Sequence, residues 1–106
     1  MYTLSIIVPV FNEKENITEL ANRITQALSS ESISYEVIWV DDGSTDGSRP
    51  LLKQIQQDFP HQKVVFLARN YGQTTALTAG VKVAEGEIIV PLDADLQNDP
   101  KDIPHM

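Results

Sequence analysis

Four short apolar runs alternate along the chain with segments in which apolar residues recur at helical spacing. The runs cover residues 4–11, 35–40, 64–68 and 88–92 and are rich in Val and Ile. Nearly continuous apolar runs of this length are typical of strands that are covered on both faces, as in a parallel sheet. The pattern therefore predicts four buried strands, with Tyr35 and Trp39 as core residues of the second.

The segments between the strands predict three amphipathic helices, over residues 17–28, 51–59 and 74–84. Asn16 and Glu19 predict a capping box for the first helix. Pro50 falls in the first turn of the second helix, where backbone N–H groups have no intrahelical partner. Gly86 predicts the C-terminal cap of the third helix.

Strict alternation of strands and helices with short connections predicts one α/β domain over residues 1–106. We expect a Rossmann-like, mainly parallel sheet with helices on both faces, joined by right-handed crossovers. Residues 93–106 have no apolar period and predict a loop or an incomplete element.

Composition narrows the classes of function. The chain has 15 Asp and Glu against 8 Lys and Arg, a formal net charge of −7, and no Cys. A nucleic-acid partner is not expected, because a phosphate backbone requires a basic surface. Disulfides and thiolate metal sites are excluded. No basic leader and no apolar run of about 20 residues is visible, so we expect a cytoplasmic chain.

Polar residues follow each predicted strand, where ligands bind in open parallel sheets. They are Asn12-Glu13, Asp41-Asp42, Arg69-Asn70 and Asp93-Ala94-Asp95. Acids after strands are often turn and cap residues, which is our interpretation of Asp46. Two adjacent carboxylates, Asp41 and Asp42, exceed what one cap needs. Carboxylates that converge at one edge repel one another unless a cation or a hydrogen-bonding ligand compensates.

Asp93, Asp95 and Gln97 alternate along the chain and so present three oxygen donors on one side if the segment is extended. Such donors suit Mg²⁺ or Mn²⁺. The first strand-to-helix turn contains no glycine, which excludes a dinucleotide fingerprint or a Walker loop. A divalent cation, supplemented by Arg69, would then hold a diphosphate, while Asp42 or Glu13 would accept hydrogen bonds from a base or ribose. The residues favour a metal-dependent nucleotide site.

Three other polar or aromatic residues contribute less. His61 lies in a polar turn on the far side of the predicted sheet, and His105 lies next to the last residue, so neither is assigned a role. Tyr71 follows the third strand and could stack on a base or pack internally, and the sequence leaves both open.

Four segments carry a resemblance to a known family. They are IIVPVFNE at 6–13, VDDGSTD at 40–46, RNYGQ at 69–73 and LDADLQNDP at 92–100. In this order they resemble the inverting family 2 glycosyltransferases of GT-A type, in the branch of polyprenyl-phosphate sugar transferases. The resemblance implies the nucleotide-binding half of a GT-A fold.

The same resemblance implies roles for particular residues. Pro9, Phe11 and Glu13 would line the nucleotide pocket and Asp42 would contact the base. Asp93 would lie beside the ribose and diphosphate, and Asp95 and Gln97 would bind the metal. Arg69, Asn70 and Gly72 would line the same pocket. No residue is assigned a catalytic role.

The reaction implied by the resemblance transfers a sugar from a UDP- or GDP-linked donor to a polyprenyl phosphate, with inversion. A phosphate acceptor is already anionic and needs no strong general base. The whole enzyme would act at the cytoplasmic face of the membrane. Because the acceptor-binding half follows the Asp-Pro segment in this family, we expect the isolated chain to be inactive and to self-associate through an uncovered sheet edge.

Two alternatives remain open at this point. The chain could be a non-catalytic module that binds a nucleotide and a metal without transferring sugar. A phosphoacceptor receiver domain is disfavoured. In such a domain the acid pair follows the first strand and a lysine follows a fifth strand, whereas here the acid pair follows the second predicted strand and no fifth strand is predicted.

Overall fold

The computed structural model describes residues 2–29 and 31–94, in which parallel strands and helices alternate. The strands are β1 (Leu4–Val10), β2 (Tyr35–Asp41), β3 (Gln62–Phe66) and β4 (Ile88–Pro91). The helices are α1 (Lys14–Ser29), α2 (Ser48–Asp58) and α3 (Gln73–Val83). The predicted α/β class is confirmed. The third strand lies two residues earlier than the sequence predicts.

The sheet has the order β3-β2-β1-β4, and each neighbouring pair is parallel. The carboxyl ends of the strands therefore meet at one edge. Pro9 lies near that edge in the central strand β1, where it pairs with Val40 of β2. The β1–β4 pairing ends at Ile7 and Pro91, two residues before Pro9, so the N–H that proline lacks is not needed there.

Helices cover both faces of the sheet and bury two apolar clusters. On one face, α1 and α2 pack against the side chains of β1 and β2 that include Val8 and Trp39. Trp39 is fully buried, and its Nε1 donates to Gln62 Oε1 at 2.6 Å. On the other face, α3 packs closely through Gly80, where an added Cβ would lie 2.6 Å from Ile7 Cγ2. The core positions predicted for Trp39 and Tyr35 are confirmed.

Two predicted helix ends are wrong. Helix α1 begins at Lys14, whose N–H donates to Asp46 Oδ2 at 3.1 Å, and not at an Asn16–Glu19 capping box. Asp46 also accepts from the N–H of Ser48, so one carboxylate caps the starts of α1 and α2. Helix α3 ends at Val83 with Ala84 as its C-cap, and Gly86 instead passes close to the backbone of Leu4.

A buried acid connects several segments at the end of the sheet opposite the carboxyl ends of the strands. Glu36 of β2 is fully buried and accepts hydrogen bonds from Ser5 Oγ and the N–H of Glu85, both at 2.6 Å. Lys63 Nζ lies 2.8 Å from the other carboxylate oxygen. Burial alone would raise the pKa of Glu36, but these donors outweigh it and the pKa is lowered.

The lowered pKa of Glu36 predicts acid-sensitive stability. A depressed folded-state pKa adds stability that is fully present above the unfolded value, about 4.3, and is lost as the pH falls through the folded value. In urea unfolding at pH values from 7 down to 3, the free energy of unfolding should therefore decrease once the pH is below about 4.5. In Glu36→Gln, which cannot titrate at this position, the slope should be shallower. Equal slopes would contradict the assignment.

Strand β4 forms one edge of the sheet and carries exposed apolar residues. Ile88 is 56% exposed and Ile89 is 41% exposed. Exposed apolar edges favour pairing with another chain, so self-association stays a prediction that light scattering over a dilution series would check. None of the helices in the described part of the chain combines the length and the hydrophobicity of a membrane span.

Candidate functional site

A cavity of about 360 Å³ opens at the edge of the sheet where the strands end. Its walls come from the end of β1, from the loops that follow β1, β2 and β3, from the start of α3 and from the segment after β4. The lining residues are Pro9, Val10, Phe11, Glu13, Asp42, Asn70, Gly72, Gln73, Asp93 and Ala94.

Asp42 connects the loop after β2 to the loop after β3. It is 3% exposed, and its two carboxylate oxygens accept from the N–H groups of Tyr71 at 2.7 Å and Gly72 at 2.9 Å. Each oxygen keeps a further lone pair for a ligand in the cavity. The residue therefore both lines the cavity and fixes part of its wall.

Gly43, next in the chain, packs directly on the same loop. An added Cβ would lie 2.5 Å from both the carbonyl carbon of Arg69 and the nitrogen of Asn70, and the φ of Gly43 is +77°. Only glycine meets both conditions without strain. The loops after β2 and β3 thus form one backbone unit.

Asp41, adjacent to Asp42, has a different role. It is fully buried, and its Oδ2 accepts from Arg49 Nε at 2.7 Å and from the N–H of Ser44 at 3.2 Å. Arg49 also donates to the carbonyl of Leu67. The acid pair that the sequence treats as one functional unit is therefore divided. Asp41 holds α2 and the end of β3, and Asp42 faces the cavity.

The sequence-predicted site residues are mostly brought together. Pro9, Phe11, Glu13, Asp42 and Asp93 all line the cavity. Asn70 and Gly72, expected there from the resemblance, line it as well.

Some predicted site residues lie elsewhere. Arg69 is exposed and is not among the lining residues. Asp95 and Gln97 lie outside the described residues. Tyr71 is 51% exposed, so it is not a core residue, and its proposed stacking on a base stays a prediction.

Sequence reasoning missed three lining residues, Val10, Gln73 and Ala94. Gln73 Nε2 donates to Asp93 Oδ1 at 3.2 Å, which joins the start of α3 to the segment after β4. Its place in the motif at 69–73 was the available signal. Val10 and Ala94 are small apolar residues beside predicted polar ones and carry no signal of their own.

The charge of the cavity wall is one-sided. Glu13, Asp42 and Asp93 supply three carboxylates, and none of the described lining residues is Lys or Arg. Within residues 2–29 and 31–94, no three acids or histidines are close enough together to hold a metal ion. An anionic ligand in this cavity would need a cation for charge balance.

The sequence matches the family described as Glycosyl transferase family 2 over residues 5–106. The chain belongs to glycosyl transferase family 2. The predicted family is confirmed.

Two curated relatives show the branch of glycosyl transferase family 2 to which the chain is similar. The undecaprenyl-phosphate 4-deoxy-4-formamido-L-arabinose transferase of Pseudomonas fluorescens (strain SBW25) is 43% identical over all of this chain and 31% of its own length. The dodecaprenyl-phosphate galacturonate synthase of Rhizobium johnstonii is 44% identical over 97% of this chain and 31% of its own. The chain spans about a third of the length of these relatives.

Solved structures show the same fold. The mannosyltransferase PcManGT from Pyrobaculum calidifontis, in complex with GDP-Man and Mn²⁺, matches 95% of this chain and 30% of its own with a TM-score of 0.83 at 29% identity. S. aureus TarS 1-349, in complex with UDP-GlcNAc, matches 97% and 29% with a TM-score of 0.77 at 30% identity. The GT-A type of fold is confirmed.

Proposed function

We propose that this chain is the donor-binding part of a glycosyltransferase that moves a sugar from a nucleotide diphosphate-sugar to a polyprenyl phosphate, with inversion. The observation that carries the proposal is the cavity at the carboxyl edge of the sheet, whose wall combines an exposed aromatic ring, Phe11, with the carboxylates of Asp42 and Asp93. An aromatic face suits a base, and carboxylates accept from base or ribose donors.

The choice of donor class is supported by the family members that match this chain. Complexes of two structural relatives contain GDP-Man and UDP-GlcNAc, so the donor is a nucleotide diphosphate-sugar whose base is uracil or guanine. Both curated relatives carry a polyprenyl phosphate in their names, which supports the acceptor class. Because a phosphate acceptor is anionic at neutral pH, it attacks without a strong general base.

A divalent cation, Mg²⁺ or Mn²⁺, completes the proposal. The described cavity wall contains carboxylates and no cationic side chain, so a diphosphate would be repelled there without a metal. Asp93 is the described residue that we propose as a ligand, with Asp95 and Gln97 completing the set. When bound, the ion neutralises the charge that develops on the departing diphosphate.

Calorimetric titration with UDP and GDP, with and without Mn²⁺, tests donor binding. One of the two nucleotides should bind, and its affinity should fall at least about tenfold when Mn²⁺ is omitted or in Asp95→Asn. Asp42→Ala should weaken binding as much, since it loses both a ligand contact and the support of the loop at 69–72.

The matched control is Asp58→Ala, which removes one acid from the exposed end of α2, and it should bind like the wild type. Circular dichroism of each variant establishes that the fold is intact. Equal affinity with and without Mn²⁺ and in every variant would contradict the proposed metal site. If the wild type binds neither UDP nor GDP, the result contradicts donor binding itself.

A further inference from the structure

Phe11 and Glu13 line the cavity, but Asn12 between them does not. Asn12 instead lines a second depression, which shares Glu13 with the cavity and also includes Lys14 and Asp46. The backbone of Asn12 is left-handed, with a φ of 53°. In this conformation Asn12 lies outside the cavity wall, while Phe11 and Glu13 both line it. Asparagine adopts the left-handed conformation more readily than other residues with a side chain.

Asn12 is also hydrogen-bonded to the loop after β2 in both directions. Its Oδ1 accepts from the N–H of Thr45 at 2.8 Å, and its own N–H donates to Ser44 Oγ at 2.9 Å. The loop after β2 is in turn joined to the loop after β3 through Asp42. The loop after β1 is thus joined through Asn12 to the loops after β2 and β3, and all three loops line the cavity.

We infer that Asn12 is a positioning residue for donor binding: its left-handed backbone and its bond to Thr45 set Phe11 and Glu13 on the cavity wall. The inference deepens the proposed function and rests on it for the role of the cavity. In this scheme Asn12 does not contact the ligand. Its effect on affinity passes through the two residues beside it and through the loop after β2.

Three variants separate the two contributions of Asn12. Asn12→Ala loses the Oδ1 acceptor and places a residue that disfavours positive φ in a left-handed position. Asn12→Gly keeps the backbone conformation and loses only the acceptor. Asn12→Asp keeps an acceptor and tolerates the conformation. The matched control, Asn22→Ala, removes an exposed asparagine from the middle of α1.

The first measurement needs no nucleotide. Amide hydrogen exchange by NMR should show the protection factor of the Thr45 N–H reduced at least about tenfold in Asn12→Ala and Asn12→Gly. In Asn12→Asp and Asn22→Ala it should stay within about threefold of the wild type. Wild-type protection in Asn12→Ala would overturn the inference. If Asn12→Ala does not fold, the Gly and Asp variants decide the matter in the same way.

The second measurement is the Kd for UDP or GDP with Mn²⁺. Asn12→Ala should raise it about tenfold, and Asn12→Gly should raise it by less, because the backbone that carries Phe11 and Glu13 is retained. Unchanged affinity in Asn12→Ala, with binding by the wild type intact, overturns the inference and leaves the proposed function standing. Failure of the wild type to bind contradicts the proposed function, and the exchange experiment then decides the role of Asn12.

Discussion

Replacing Gly43 with alanine should destabilise the chain by about 3 kcal/mol or more, one of the two largest single effects that we expect. The new Cβ would lie 2.5 Å from two backbone atoms of the loop after β3, and backbone moves less readily than a flexible side chain. The positive φ of Gly43 adds strain of about 1 kcal/mol for a residue with a side chain. Nucleotide binding should be lost as well, because Asp42 and the loop at 69–72 line the cavity.

Gly47 provides a matched control for this experiment. Its φ is also positive, +93°, but an added Cβ would meet only the flexible side chain of Lys14 at 3.5 Å. Gly47→Ala should therefore cost only about 1 kcal/mol. Thermal melts should show Gly43→Ala unfolding more than about 10 °C below the wild type. Similar melting temperatures for the two variants would show that the loops after β2 and β3 can separate freely.

Replacing Glu36 with alanine should cost about 3 kcal/mol, through loss of a buried acceptor that serves three donors. Ser5 Oγ, the N–H of Glu85 and Lys63 Nζ would all lose a partner. Lys63 is partly exposed and can turn to water, which limits the cost of its own lost contact. Urea denaturation, followed by the emission of the buried Trp39, measures the change.

A double-mutant cycle distinguishes the ion pair from the other bonds of Glu36. Lys63→Ala alone should cost about 1 kcal/mol, and in the Glu36→Ala background its effect should nearly vanish. Glu85→Ala is the control, because that side chain is 59% exposed and lies 3.5 Å from Lys63. It should change the stability by less than about 0.5 kcal/mol. A loss in Glu36→Ala no larger than in Glu85→Ala would contradict the role assigned to Glu36.

The order of strands and helices could be predicted from the chain alone, because each element depends on a local pattern of apolar residues. Residues that follow parallel strands meet at one edge of the sheet, so the sequence alone predicts that Glu13, Asp42 and Asp93 lie together. The motifs at 6–13, 40–46, 69–73 and 92–100 identified the family because each is a short segment whose residues lie close to one another in the chain.

The helix ends and the division of the acid pair depended on contacts between residues that are distant in sequence. Helix α1 begins at Lys14 because Asp46, 32 residues away, caps it. Asp41 differs in function from Asp42 because it is paired with Arg49. Arg49 belongs to α2, which packs on the face of the sheet opposite to the face that α3 covers.

The network around Glu36 could not be predicted either. The register of β1 and β2 places Ser5 beside Glu36, and Lys63 and Glu85 approach from other elements. In the sequence, Glu36 is a single acid within an apolar strand, with no local partner. The elements and the edge that holds the site follow from local propensity and period. The partners of each buried polar group follow from strand register and helix packing, because a buried charge is stable only where distant segments bring donors to it.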